Sequence, residues 1–155
     1  MYAAQEAGIA ACKPGNTFSD VHAAAIRVIA EHLHAWGLLP DGIDVEATLD
    51  PEHGQHHRRW MVHGTSHHLG IDVHDCAQAR REEYLEGELR PGMVLTVEPG
   101  LYFQSDDLTA PEEYRGIGVR IEDDILVTED GNRNLSAALP RQADEVEAWM
   151  ASLRG

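Results

Sequence analysis

Between His63 and Asp75 the chain reads His-Gly-Thr-Ser-His-His-Leu-Gly-Ile-Asp-Val-His-Asp, gathering imidazoles and carboxylates between glycines and apolar residues. Such a mixture packs poorly into a core and suits a site. Imidazole is the commonest protein ligand for transition metals and the side chain that titrates nearest neutral pH. His63, His67 and His74, spaced by four and seven, therefore point to a metal or proton-transfer site. With ten histidines in the chain, a chance cluster is the competing explanation, and the residues downstream decide between them.

The stretch Pro91–Gly100 reads as a turn, an apolar β-branched run, and a carboxylate, Glu98, delivered at the strand's end before a Pro-Gly break. The run Gly118–Val127 alternates, sending Val119 and Ile121 one way and Arg120 and Glu122 the other. One carboxylate is thus expected from each strand. A histidine and two glutamates on or beside a sheet form a ligand set suited to manganese, cobalt or zinc, and bridging carboxylates hold two such ions close together. A mononuclear zinc hydrolase built on His63 and His67 is disfavoured, because Gly64 and Gly70 oppose a helix and no glutamate follows His63 to act as base.

Taken together, HG-x-S-H-x-x-G-x-D-V-H-D, T-V-E-P-G-L-Y and G-V-R-I-E-D-D resemble the C-terminal catalytic half of the Xaa-Pro aminopeptidases. These belong to the pita-bread dinuclear metallopeptidases, with prolidases and methionine aminopeptidases. The resemblance runs from about Tyr2 to the C-terminus. It implies His67, Glu98 and Glu122 as metal ligands, His63 and His74 as substrate-side histidines, and Arg120 as the group that orients Glu122 or the substrate. A plain ion pair of Arg120 with Glu122 or Asp123 is the alternative, since neighbours in a sheet often pair this way.

The resemblance also implies two divalent ions, manganese with cobalt or zinc as alternatives, that activate a shared hydroxide for attack on the first peptide bond. Glu98 would carry a proton to the leaving nitrogen, while His63 and His74 hydrogen-bond the substrate and the tetrahedral intermediate. The implied reaction releases the N-terminal residue from peptides with proline in the second position. Prolidase cleavage of Xaa-Pro dipeptides is the nearest alternative, and the preference for proline comes from the resemblance alone. The family's site further uses two aspartates on strands preceding the matched portion. Asp41, Asp44 and Asp50 lie in a turn-rich connection and read as loop acids. A second expectation, of another class, is therefore a non-catalytic fragment or binding module that retains a partial metal site.

The elements that must position these residues follow from length and pattern. The 155 residues carry a net charge of −15, with 43% hydrophobic and 25% charged residues, which suits a soluble domain large enough to bury a core. That acidity argues against a nucleic-acid or anionic-membrane partner, since both need a basic face. A peptide substrate is the expected partner, and a homo-oligomer stays open. No membrane-spanning apolar run or basic-then-apolar leader is visible, so the cytoplasm is the expected compartment. Cys12 and Cys76 lack CxxC spacing and indicate no disulfide framework or thiolate site, and Cys76 reads as a small buried filler.

Met1–Cys12 is alanine-rich and helical in propensity, with no capping residue before it, so it reads as the middle of a helix. On that basis residues 1–155 form a single truncated catalytic domain lacking its N-terminal part. Thr17 or Ser19 caps a second helix, whose core stripe is Val21, Ala25, Val28, Ile29, Leu33 and Trp36 before Gly37 stops it. His22, His32 and His34 read as partly solvated side chains of that helix. Leu38–Arg59, with His53, His56 and His57, reads as a surface loop; Arg80–Leu89 reads as a solvated loop, and Gln104–Arg115 as a polar connection. A closing helix after Pro140 presents Val146, Trp149, Met150 and Leu153 as a packing stripe. The fold class is α+β, and the resemblance implies the C-terminal part of a pita-bread (creatinase/aminopeptidase-like) fold. In that fold a curved, mostly antiparallel sheet carries the ligands and helices cover its outer face.

Overall fold

The structure, a computed structural model, describes residues 1–76 and 78–154. Helix α1 (Tyr2–Ala11) has no side-chain cap at Met1 and ends before Pro14, whose ring cannot continue a helix. Helix α2 (Phe18–Ala35) starts at Thr17 rather than Ser19. The Thr17 hydroxyl accepts the Asp20 N–H at 3.2 Å and the Asp20 carboxylate accepts the Thr17 N–H at 2.7 Å, a reciprocal capping box. Ser19 instead donates to the Leu85 carbonyl.

Phe18, Val21, Ala25, Ile26, Ile29, Ala30 and Leu33 form the buried face of α2. Trp36, expected at the end of that stripe, is 46% exposed, because the helix has turned it beyond the packed face. The stretch expected as one surface loop contains two further elements. Helix α3 (Val45–Leu49) is capped by Asp44, whose side chain accepts the Ala47 N–H, and a 3-10 turn spans His56–Arg59. Asp50 accepts the N–H groups of Glu52 and His53, so Asp44 and Asp50 end as backbone-capping acids.

His57 corrects the expectation of a solvated loop. It is 1% exposed, in the space between the 3-10 turn and α2, because the turn folds that side of the loop inward. Burial pushes its imidazole down from 6.5 to about 4, helped by the nearby His22, Arg58 and His56, and burial lowers His22 as well. A base whose folded pKa lies below its unfolded value supports folding only while neutral. The contribution is complete above about pH 6.5 and is lost as pH falls towards about 4. Urea unfolding over that window is expected to show a loss of about 3 kcal/mol that His57→Phe removes; an identical profile in the variant would contradict it.

The charged residues of Arg80–Leu89 are exposed as expected, but Arg81–Tyr84 form a short helix, α4, and Leu89 is buried. Leu89 packs with Cys12, Phe18, Val21, Leu95 and Ile125, a role that the surrounding charges conceal in sequence. Cys76 is exposed, not buried filler, whereas Cys12 is fully buried and its thiol is pushed up to about 12 by burial.

Among the described residues five strands follow: β1 (Val94–Val97), β2 (Gly100–Tyr102), β3 (Gly118–Arg120), β4 (Asp123–Thr128) and β5 (Gly131–Asn134). All pairings are antiparallel, in a three-stranded sheet of order β1-β4-β5 and a two-stranded β2-β3 ladder. The two ladders share one register. Val97 faces Asp123 and Gly100 faces Arg120, so the intervening residues place Glu98 opposite Glu122 and Pro99 opposite Ile121. Pro99 has no N–H to give, which accounts for the break in hydrogen bonding at that point.

The run expected as one strand from Gly118 to Val127 is thereby divided, and Glu122 sits in the break rather than on a strand. Strand β5, Gly-Asn-Arg-Asn, has no apolar alternation to announce it. Along β4, Asp123, Ile125 and Val127 are buried and their alternates only half-buried. One core gathers Ile29, Leu33, Trp60, Met61, Leu101 and Phe103; the other joins Val21 to Leu95, Val97, Ile125 and Val127.

Helix α5 (Ala143–Leu153) forms where Pro140 predicts it, but its stripe is not packed. Trp149, Met150 and Leu153 are 48%, 45% and 70% exposed, since helical spacing identifies an apolar face without supplying anything to cover it. No described helix is long and apolar enough to cross a membrane.

Candidate metal centre

The break in the ladder is where the site lies. Glu98 follows β1 and Glu122 precedes β4, so the shared register brings two carboxylates to one place. A third extended segment supplies the imidazole. Residues 65–69 run along the free edge of β1: Glu98 donates its N–H to the Thr65 carbonyl at 2.7 Å, Thr96 to the His67 carbonyl at 2.9 Å, and Leu69 to the Val94 carbonyl at 2.9 Å. Gly64 and Gly70 flank this extended piece, which is why His63 and His67 do not share a helical face.

His67 Nε2 stands 3.3 Å from Glu98 Oε1, and one ligand atom each from His67, Glu98 and Glu122 lie within 4.8 Å of one another. Among the described residues this is the one such group of three. Polar contacts hold the first two members. The His67 N–H donates to Thr96 Oγ1 at 3.0 Å, and that hydroxyl donates to Glu98 Oε1 at 3.2 Å. Thr96 is 1% exposed, so this linkage is shielded from water.

The tautomer of His67 follows from its other nitrogen. Nδ1 faces the His68 carbonyl at 3.1 Å, and a carbonyl only accepts, so Nδ1 carries the proton. Nε2 is then the nitrogen that faces the Glu98 carboxylate. A backbone carbonyl on the far nitrogen is the usual support for a metal-ligating histidine. Side-chain exposures of 15% for His67, 13% for Glu98 and 37% for Glu122 leave the cluster reachable from one side. A nitrogen and two carboxylates fit a divalent ion of the manganese, cobalt or zinc type.

Arg120 touches both carboxylates, with Nε 3.7 Å from Glu98 Oε2 and Nη2 3.4 Å from Glu122 Oε2. Of the two partners considered for an ion pair of Arg120, the structure places Glu122 beside it, while Asp123 pairs with Arg141. His74 is exposed, and its ring stands edge-on to His67 with centroids 4.4 Å apart. His63 lies further along the same segment, its Nδ1 2.7 Å from the Gly64 carbonyl and its Nε2 2.7 Å from Tyr102 Oη. Nδ1 again faces a carbonyl and donates to it, and Nε2 shares a hydrogen bond with the tyrosine hydroxyl.

Tyr102 is the participant that sequence reasoning left without a role. Its ring lies over Gly100 and Gly118: a Cβ at Gly100 would fall 2.6 Å from the phenol oxygen, and one at Gly118 would fall 3.1 Å from Cδ1. The two glycines, one two residues before Tyr102 and the other directly across the ladder, are the signal that marks it. Tyr102→Phe is expected to cost about 1 kcal/mol of stability and to alter the 15N signals of the His63 ring, with Mn2+ affinity unchanged. Unaltered His63 signals would show that the contact does not hold the ring.

His22, given no chemistry from sequence, lies behind the site and hydrogen-bonds Thr65 Oγ1 at 2.8 Å. Thr65 is the residue whose carbonyl takes the Glu98 N–H, so the helix is tied to the ligand strand at that point.

Known proteins share this arrangement of sequence and fold. The profile of metallopeptidase family M24 matches residues 1–129. Xaa-Pro aminopeptidase 1 of Streptomyces coelicolor is 64% identical over 155 residues, all of this chain and 30% of that protein. The Xaa-Pro aminopeptidase of Escherichia coli is 42% identical over 142 residues, 92% of this chain and 30% of that protein. Among solved structures, aminopeptidase P from Escherichia coli with the inhibitor Pro-Leu superposes with a TM-score of 0.84 at 40% identity, over 97% of this chain and 33% of that one. The α+β fold is thus shared with aminopeptidase P structures of the pita-bread family, and the chain spans about a third of the length of the relatives it matches.

Proposed function

The chain belongs to metallopeptidase family M24, and from that premise we propose that it carries part of the catalytic centre of a metal-dependent aminopeptidase acting on peptides with proline in the second position. The convergence of His67, Glu98 and Glu122 within 4.8 Å is the observation that carries this reading. These three residues would hold divalent metal, with manganese as the proposed ion and cobalt or zinc able to replace it. Bound there, the metal would supply Lewis acidity toward a peptide carbonyl and a nucleophile at neutral pH.

The chain's own groups do the rest. Glu98 is the carboxylate placed to carry a proton toward a leaving nitrogen, because it is the more enclosed of the two and accepts from Thr96. Arg120 neutralises charge between Glu98 and Glu122 and fixes their mutual orientation. His63, held by Tyr102, and His74, standing against His67, face a substrate as hydrogen-bonding groups for the developing oxyanion. The names of the relatives, Xaa-Pro aminopeptidases, support proline selectivity, and one solved relative holds Pro-Leu as inhibitor. The proposed compartment is the cytoplasm.

The test is elemental analysis of tag-free protein after manganese loading and dialysis, run beside release of the N-terminal residue from an Xaa-Pro-Xaa tripeptide. Bound manganese with turnover supports the enzyme reading. Bound manganese without turnover supports the second expectation, a partial metal site in a non-catalytic chain. Protein that binds no manganese, cobalt or zinc refutes the metal site itself.

A further inference from the structure

On the side of the ladder turned away from the ligands, a single guanidinium reaches toward both carboxylate-bearing turns. Asp123 follows Glu122 directly and opposes Val97, and its side chain is 1% exposed while that of Glu122 is 37% exposed. The Asp123 carboxylate accepts from the Ser136 hydroxyl at 2.5 Å and from Arg141 Nη1 at 2.9 Å. That same nitrogen lies 2.8 Å from Glu6 Oε1 and 3.4 Å from Gln5 Oε1. Gln5 is fully buried and donates through Nε2 to the carbonyl of Val97, the residue before Glu98. The Arg141 guanidinium also lies over the Tyr2 ring, 5.4 Å from its centroid.

One arginine therefore grips the residue after Glu122 directly and the residue before Glu98 through a buried amide. Glu6 is 47% exposed and can exchange its partner for water; Asp123 has no such recourse, because a carboxylate so enclosed needs a cation beside it. Arg141 touches no ligand, unlike Arg120, and acts from the opposite side of the ladder.

We infer that Arg141 is a positioning residue: by clamping Asp123 and Gln5 it fixes the spacing of Glu98 and Glu122, and so sets the affinity of the His67, Glu98 and Glu122 group for a divalent cation. This rests on the metal reading proposed above. Ligand spacing matters because supporting contacts behind metal ligands typically change affinity by about 10- to 100-fold.

The experiment titrates the full 155-residue chain with Mn2+ and records the visible spectrum of the Co2+-loaded protein. Arg141→Met is expected to weaken Mn2+ binding about tenfold and to alter the Co2+ bands, while Arg141→Lys recovers affinity to within about threefold of the starting protein. Asp123→Asn is expected to weaken binding similarly, and the double variant to add little, because both act through one link. Asp107→Asn, which loosens Arg59 and Trp60 elsewhere, controls for general destabilisation and should leave the Co2+ bands unchanged.

Wild-type Mn2+ affinity and Co2+ bands in Arg141→Met overturn the inference and leave the metal site standing. Should that variant fail to fold, Asp123→Asn decides, and its binding Mn2+ as the unaltered chain does overturns the inference. An unaltered chain that binds none of Mn2+, Co2+ and Zn2+ overturns the metal reading first and this one with it; if it binds Zn2+ alone, unchanged Zn2+ affinity in Arg141→Met overturns this inference.

Discussion

Replacing Glu98 by alanine is expected to lower Mn2+ affinity by about two orders of magnitude or more, at least the upper end of what loss of a supporting contact costs. Glu98 is at once the carboxylate facing His67 Nε2, the partner of Arg120 and the acceptor of the Thr96 hydroxyl. Its removal leaves two of the three proposed ligands and leaves Arg120 paired with Glu122 alone, so the guanidinium competes with a cation for that carboxylate. Glu122→Ala should cost less, since Glu122 is more exposed and water can take its place. Isothermal titration of the two variants tests the order, and Glu98→Ala binding Mn2+ as tightly as the unaltered chain would dismiss the site.

The second large effect concerns the strand that delivers Glu98. Leu95 is completely buried, faces Ile125 across the ladder and forms an isolated bridge with His68 on its other side. Leu95→Ala is expected to destabilise the chain by about 3 kcal/mol, combining lost burial with the cavity left at the crossing of α2 and the sheet. Against a typical total of about 5–15 kcal/mol this is a large fraction. The loss should show as a lower urea midpoint with an unchanged slope, and a shift of under about 1 kcal/mol would mean that the core closes over the gap.

How well the sequence foretold the structure depended on what each residue's role required. His67 and Glu98 were legible because their types are chemically conspicuous and their spacing follows turn and strand signals. Glu122 joins the other two in space, but not for the reason its sequence suggests. Alternation placed it on a strand, whereas it stands in a break that only the pairing partner, Pro99, explains.

Helix α2 was readable from its cap and stripe, yet Trp36 fell outside the packed face, since spacing does not say how wide a face the neighbours cover. His57 looked like a loop residue because nothing local distinguishes a loop folded inward from one folded outward. Tyr102 and β5 escaped for opposite reasons: the tyrosine's role depends on two glycines brought beside it by folding, and β5 is held by pairing with β4 rather than by apolar periodicity. The stripe of α5 was correctly read as apolar and wrongly read as packed.

The shared register has a further consequence for how the chain folds. Glu98 and Glu122 stand 24 residues apart in the chain and His67 stands 31 before Glu98, so their meeting requires only modest loop closures. The grip of Arg141 joins the first helix to a segment near the other end, a contact between residues 135 and 136 positions apart. Loop-closure entropy separates the two: local topology governs how fast the ligands can find one another, and the long-range contact governs how firmly they are then held.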